Sequence, residues 1–108
     1  MVFRAVEDKK GERPVVLDLR GISSVTDILV VCSGHSDRHV QAVAENIYVT
    51  MKHEGIMPLG VEGMHEGRWA LLDYDDIIVH VFHEPVREFY DLEGVWRDAP
   101  RLDLAGSS

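Results

Sequence analysis

Apolar residues along the chain fall into short clusters, and the spacing within each cluster predicts its secondary structure. Residues 15–19 and 28–32 are β-branched and aliphatic runs of strand length. The polar segment between them is too short for a crossover helix, so these strands are predicted to pair antiparallel. Next, a helix is predicted to begin after the cap Ser36 and to end at Gly55. Its apolar residues recur at steps of three and four: Val40, Val43, Ala44, Ile47 and Met51.

The second half of the chain predicts three more strands and a last helix. A strand at residues 58–61 follows the first long helix, and this order favours a parallel, right-handed crossover. Residues 69–74 and 77–82 are joined by a short acidic turn, which predicts a hairpin. The last helix is expected to begin near Pro85 and to turn four apolar residues toward the sheet: Val86, Phe89, Tyr90 and Val95. The predicted fold is α/β, with a mixed, mainly five-stranded sheet and two to three helices.

Strand alternation distributes the polar residues of the hairpin over two faces of the sheet. One face of the first strand carries Trp69, Leu71 and Asp73, and the other carries Ala70, Leu72 and Tyr74. In the next strand, His80 shares a face with Ile78 and Phe82. One core helix covers only one side of a sheet. If no second helix covers the face that carries Trp69, that face would be open to another molecule.

The two tryptophans are predicted to differ in role. Trp69 follows a polar loop at residues 63–68 and therefore begins its strand at the rim of the domain. Tryptophan at such a position is a frequent anchor of protein interfaces, although a core position is the alternative. For Trp96 we expect a core position.

Composition and charge narrow the possible partners. The chain has 108 residues, which we interpret as one domain over residues 1–108 with a loose tail from about residue 101. No apolar run reaches the roughly 18 residues of a membrane span and no secretory signal is evident, so we expect a cytosolic protein. Eleven basic against nineteen acidic residues give a net charge of −8. This balance disfavours extensive contact with nucleic acid and favours a basic protein partner.

Candidate catalytic and metal-binding residues each have a simpler interpretation. Asp73 and Asp75 resemble paired carboxylates of nucleotidyl transfer, with the turn after Ser33 as a phosphate site, but the resemblance is weak and a hairpin turn and a helix entry are favoured. His35 and His39 are four residues apart, yet His35 precedes the first helical turn and need not share a face with His39. We therefore expect no metal and no cofactor. Cys32 lies in an apolar run and is interpreted as a buried small residue.

Several short motifs together resemble the Iojap family of bacterial ribosomal silencing factors. The resemblance covers about residues 15–100, and its strength lies in the order and spacing of the motifs. They are Thr26-Asp27, Ser33-Gly34 with Ser36-Asp37-Arg38-His39-Val40, Glu62-Gly63, Trp69 with Leu72-Asp73-Tyr74, Val79-His80-Val81, and Arg87 with Tyr90-Asp91-Leu92-Glu93 and Trp96. Members usually begin with a longer helix, whereas residues 2–10 allow only about two turns here.

The resemblance implies a fold similar to that of nucleotidyltransferases, without their enzyme activity. It also implies binding to the large ribosomal subunit through the ribosomal protein numbered fourteen, steric exclusion of the small subunit when nutrients are short, and a homodimer in the free protein. Carried onto this chain, the partner-binding residues would be Trp69 first, then Leu71, Asp73, Tyr74, His80 and Arg87. The alternative function is a metal-dependent nucleotidyltransferase-like enzyme that uses Asp73 and Asp75.

Overall fold

A computed structural model describes residues 2–102 of the chain. These residues form one five-stranded sheet and four helices. The strands are β1 (Glu12–Asp18), β2 (Ile28–Gly34), β3 (Gly60–Glu62), β4 (Trp69–Asp73) and β5 (Ile77–His83); the helices are α1 (Val2–Asp8), α2 (Asp37–His53), α3 (Glu84–Tyr90) and α4 (Leu92–Val95). None of these helices is long and apolar enough to cross a membrane.

The sheet is mixed, as predicted, with strand order β1-β2-β5-β4-β3. The antiparallel pair β1–β2 and the hairpin β4–β5 are both confirmed, and β2 and β5 form the parallel pair at the centre. Strand β3 pairs antiparallel with β4 at the far edge. It therefore runs in the same direction as β2, as the predicted crossover requires, but two strands separate them. Pro58 lies outside β3.

Helix α2 confirms the predicted pattern at both ends and along its buried face. The Ser36 hydroxyl accepts the backbone N–H of His39 at 3.0 Å, so it caps the helix. All five residues of the predicted apolar stripe are buried against one side of the sheet, which we call the first face. Cys32 is fully buried in the same cluster, and burial raises the pKa of its thiol to about 12. This thiol is therefore not a nucleophile near neutral pH.

The last predicted helix is divided in two, and two of its apolar residues point outward. Asp91 has φ 47°, a left-handed conformation that ends α3 and begins α4. Val86 packs on the second face of the sheet, as predicted, and Tyr90 is 51% exposed but contacts Trp69 on that face. For Phe89 and Val95 the prediction is wrong, since both are exposed. Val95 follows the break, which rotates α4 out of the register of α3.

The second face of the sheet is covered only in part. A cluster built by α3, α4 and the turn after them lies over β1, β2 and β5, and Trp96 packs against it as expected. Residues 100–102 are hydrogen-bonded along β1, through Asp18 N–H to the Pro100 carbonyl at 2.8 Å and Leu102 N–H to the Val16 carbonyl at 2.8 Å. The predicted loose tail is thus ordered as far as residue 102, and its remainder lies outside the described residues.

Candidate partner-binding site

Four of the six predicted partner-binding residues lie together on the second face, beside the covered part. The register of the β4–β5 hairpin places Trp69 opposite Phe82, Leu71 opposite His80, and Asp73 opposite Ile78. Directly opposed residues of antiparallel strands share a face, so these side chains form one surface. We call Trp69, Leu71, Asp73 and His80 the Trp69 surface.

Trp69 is held in one orientation by three neighbours. Its indole Nε1–H donates a hydrogen bond to Nδ1 of His80 at 2.9 Å. Its ring stacks on Phe82, with centroids 4.9 Å apart, and is covered on another side by Tyr90 of α3 at 4.7 Å. The side chain remains half-buried, so part of the ring is available from solvent. A ring fixed in advance loses little conformational entropy when a partner covers it.

His80 is a neutral hydrogen-bond acceptor in this arrangement. It is buried, and burial lowers its pKa to about 4. The unprotonated imidazole has a lone pair at Nδ1 that can accept the indole N–H of Trp69. His80 is therefore a support for Trp69 rather than a solvent-facing contact.

An acidic pocket lies next to Trp69. Its volume is about 360 Å³, and it is lined by Glu62, Gly63, Glu66, Trp69 and Leu71. Gly63 has φ 71°, and a Cβ at this position would collide with the Trp69 carbonyl oxygen, so only glycine lets the loop close here. The pocket combines two carboxylates with an aromatic ring, which suits a Lys or Arg side chain.

Sequence reasoning missed an aromatic extension of this surface on α3. The rings of Phe89 and Tyr90 meet edge to face, with centroids 5.1 Å apart, and Tyr90 contacts Trp69. Phe89 is 81% exposed. One signal could have located the end of α3 directly after this pair: Asp91 is followed three residues later by Gly94, whose N–H bonds the Asp91 carboxylate at 3.2 Å in an N-cap.

Tyr74 and Arg87 are not part of the Trp69 surface. Tyr74 lies on the opposite face, buried in the cluster under α2, where desolvation raises its pKa. Arg87 is 2% exposed and binds Glu93 through two hydrogen bonds, of 3.0 and 2.9 Å. It also donates to the Ser33 hydroxyl at 2.6 Å. Both residues therefore lie in the interior. Each of the other four predicted residues either is exposed on the Trp69 surface or supports it.

The residues of the enzyme alternative lie at opposite ends of the sheet. Asp73 uses its carboxylate to accept the backbone N–H of Asp75 at 2.8 Å, which is a turn contact. Asp73 pairs with Ile78 near the start of β5, whereas Ser33 pairs with Phe82 near its end. Four residues of strand separate these positions by roughly 13 Å. The Ser33 hydroxyl is moreover buried against Arg87, so it does not face a phosphate site.

Comparison with known proteins identifies the family. The family described as "Ribosomal silencing factor during starvation" (RsfS) matches residues 1–108. The chain belongs to this family. It is 45% identical to the ribosomal silencing factor RsfS of Bacillus subtilis over 100 residues, covering 93% of this chain and 85% of that protein. It is 41% identical to RsfS of Halalkalibacterium halodurans over 106 residues, covering 98% and 91% of the two chains.

Solved and more distant relatives agree with this assignment. A crystal structure of a Chromobacterium violaceum protein superposes with a TM-score of 0.86 at 37% identity, covering 88% of this chain and 79% of that chain. A mouse protein named "Mitochondrial assembly of ribosomal large subunit protein 1" is 30% identical over 74 residues, which are 66% of this chain and 32% of that protein. The expected family and the α/β fold are thus confirmed.

Proposed function

We propose that this protein binds the large ribosomal subunit through ribosomal protein fourteen and blocks the docking of the small subunit. The observation that carries the proposal is the Trp69 surface, which presents a fixed tryptophan beside an acidic pocket in a chain of the RsfS family. The names of the bacterial relatives and of the mouse protein, which refer to ribosome silencing and to large-subunit assembly, support a site on that subunit.

Charge favours a protein contact over an RNA contact on the ribosome. The chain has a net charge of −8, so ribosomal RNA would repel it at long range. A basic ribosomal protein would be attracted, and its Lys or Arg side chain could enter the pocket between Glu62 and Glu66. Trp69 and Leu71 would supply the apolar contact at the same place.

The proposed mechanism is steric and involves no chemical reaction. A folded body with extents of 34 × 34 × 27 Å at an intersubunit contact would occupy space that the small subunit needs. The factor would act in the cytoplasm, lowering translation when nutrients are limiting. We propose accordingly that the protein is not an enzyme.

Sedimentation with purified subunits tests the proposal. The protein should co-sediment with large subunits and, at saturation, prevent them from joining added small subunits. Trp69→Ala should weaken binding by at least about 2 kcal/mol, because it removes the central aromatic contact. Val25→Ala is a matched control, since Val25 is 72% exposed on the β1–β2 loop. Failure of the wild-type protein to co-sediment, or unimpeded joining at saturation, would contradict the proposal.

In the absence of ribosomes, we propose that the protein forms a homodimer. The edge strand β3 supports this proposal, because its residues are exposed and it is paired on one side only, with β4. Leu59 and Val61 add exposed apolar side chains along this edge. Sedimentation equilibrium of the free protein would test it, and a mass of one chain at micromolar concentration would argue against a dimer.

A further inference from the structure

Three metal-ligating side chains from separate parts of the chain meet at one end of the sheet. Glu12 is the first residue of β1, His35 follows β2, and His39 is in the first turn of α2. One donor atom from each lies within 4.8 Å of the others. His35 precedes α2, as the sequence indicated, so helical spacing alone did not predict a contact between the two histidines. The chain reverses after Gly34, which brings the two imidazole rings to a centroid separation of 4.3 Å.

The local backbone places a carboxylate at this point. A β-bulge interrupts β1 between Glu12 and Val15, so that three residue steps on β1 match two on β2. In consequence Glu12, and not Arg13, lies opposite Ser33. Arg13 has φ 46° in this bulge and turns to form an ion pair with Glu84. Without the bulge, a guanidinium group would occupy the position beside the two histidines.

The site lies beside the carboxyl end of β2, on the side of β1. The parallel strands β2 and β5 both end at this edge of the sheet. Between their ends, Nδ1 of His83 lies 3.4 Å from the carboxylate of Asp37. Glu12 approaches His35 and His39 from the other side, from β1.

Hydrogen bonding fixes the tautomer of His39 in the form that a metal ligand needs. Nε2 lies 2.8 Å from the backbone carbonyl of Lys9, and because a carbonyl only accepts, Nε2 carries the proton. Nδ1 is therefore unprotonated, and its lone pair accepts the backbone N–H of His35 at 3.0 Å. A metal at Nδ1 would displace that amide, which is exposed and could bond water instead. A carbonyl behind a ligating histidine is the usual outer support of such sites.

We propose that Glu12, His35 and His39 form a site for a divalent transition metal, with Zn²⁺ as the ion that fits best. Two imidazoles and one carboxylate are a frequent zinc ligand set, with a fourth position left for water. Tetrahedral bonds of about 2.1 Å place donor atoms about 3.4 Å apart. The donors lie within 4.8 Å, so movements of about an ångström in partly exposed side chains complete the site. The ion would tie the start of β1 to the end of β2 and to α2.

Isothermal titration calorimetry of the tag-free protein with Zn²⁺ tests this site. We expect saturable uptake of one ion per chain and a higher midpoint of thermal unfolding with excess Zn²⁺, because the metal binds only the folded arrangement. Co²⁺ should give visible absorption bands typical of four-coordinate geometry. Glu12→Gln and His35→Ala should each weaken binding by at least about tenfold and reduce the thermal shift accordingly. Both leave the Ser36 cap and the His39–Lys9 contact in place.

His53→Ala provides the matched control. His53 is exposed at the end of α2, outside the cluster, and its loss should leave Zn²⁺ uptake unchanged. Circular dichroism of each variant would verify its fold. Absence of saturable uptake by the wild-type protein would overturn the proposal. So would equal uptake by wild type and His35→Ala, or loss of uptake in His53→Ala alone. None of these outcomes depends on ribosome binding, so this proposal and the proposed function can fail separately.

Discussion

The indole of Trp69 donates its N–H to Nδ1 of His80 across the β4–β5 hairpin, at 2.9 Å. This bond joins the most prominent candidate contact residue to a histidine that is 7% exposed. It is formed only while His80 is neutral, since a protonated imidazole has no acceptor. The orientation of Trp69 and the protonation state of His80 are therefore linked.

Acid should destabilise the protein through His80. In the folded chain the pKa of His80 is lowered to about 4, against 6.5 for an exposed histidine. Between these values the unfolded chain binds a proton that the folded chain does not, so stability falls as pH decreases from about 6.5 to about 4. The gap between the two pKa values corresponds to a loss of roughly 3 kcal/mol in the free energy of unfolding. Urea unfolding at a series of pH values would measure it.

A His80→Gln variant separates this effect from other titrations. Glutamine does not titrate, and its amide oxygen can accept the Trp69 N–H. The slope of stability against pH from about 6.5 to about 4 should be much smaller in this variant than in wild type. His53→Gln should keep the wild-type slope. Identical slopes in wild type and His80→Gln would show that His80 does not carry this pH dependence.

Removal of the exposed ring of Phe89 should affect binding but not stability. Phe89 is 81% exposed, so Phe89→Ala loses little buried area on folding. If Phe89 and Tyr90 of α3 extend the Trp69 surface, the variant should bind large subunits about tenfold more weakly. This is a loss of roughly 1.4 kcal/mol in the free energy of binding. Competition with labelled wild-type protein on large subunits would measure it. Unchanged affinity would limit the contact surface to the hairpin.

The acidic pocket should determine how binding depends on salt. The double variant Glu62→Lys with Glu66→Lys should bind the proposed partner, ribosomal protein fourteen, more weakly and associate with it more slowly. The affinity of the wild-type protein for this partner should fall as salt is added. Calorimetry and stopped-flow measurements at two salt concentrations would show both effects. Glu45→Lys with Glu54→Lys is the control of equal charge change, because both residues are exposed on α2 or at its end. An equal loss in the control would indicate net charge rather than the pocket.

Local signals in the sequence predicted much of the fold. Helix α2 could be predicted because Ser36, a five-residue apolar stripe and Gly55 agree with one another over a single segment. The hairpin was equally local, since Asp75 and Asp76 lie between two apolar runs. The place of β3 at the sheet edge depends on pairing with β4 rather than on its own residues, so local signals do not indicate it.

The site was predicted only in part, because its residues depend on distant contacts. Alternation along β4 correctly grouped Trp69, Leu71 and Asp73 on one face, and the register of the hairpin adds His80 to that face. Phe89 points outward because the buried side of α3 is formed by Val86 and Arg87, and apolar periodicity cannot indicate a buried arginine. Arginine is seldom buried, and the interior position of Arg87 requires Ser33, which is 54 residues away. The meeting of His35 and His39 likewise depends on the chain reversal after β2.

Arg87 and Glu93 should act as one unit in stability. Arg87 is 2% exposed and bonds both carboxylate oxygens of Glu93, which lowers the pKa of Glu93. Either Arg87→Met or Glu93→Gln should destabilise the fold by about 3 kcal/mol, because each leaves one charged partner without its counterion. The double variant should lose less than the sum of the two single losses, and urea unfolding of all four proteins would measure this coupling.

The pH dependence of this pair has a defined sign. The pKa of Glu93 is lowered on folding, so ionised Glu93 stabilises the fold. This stabilisation is fully present at pH values above the ordinary carboxyl pKa near 4.5, and it is lost as the pH falls through the lowered pKa. Because the pair holds α3, which carries Tyr90 against Trp69, the single variants should also bind large subunits more weakly. Additive losses, or full subunit affinity in a destabilised Arg87→Met, would show that α3 is held in place by other contacts.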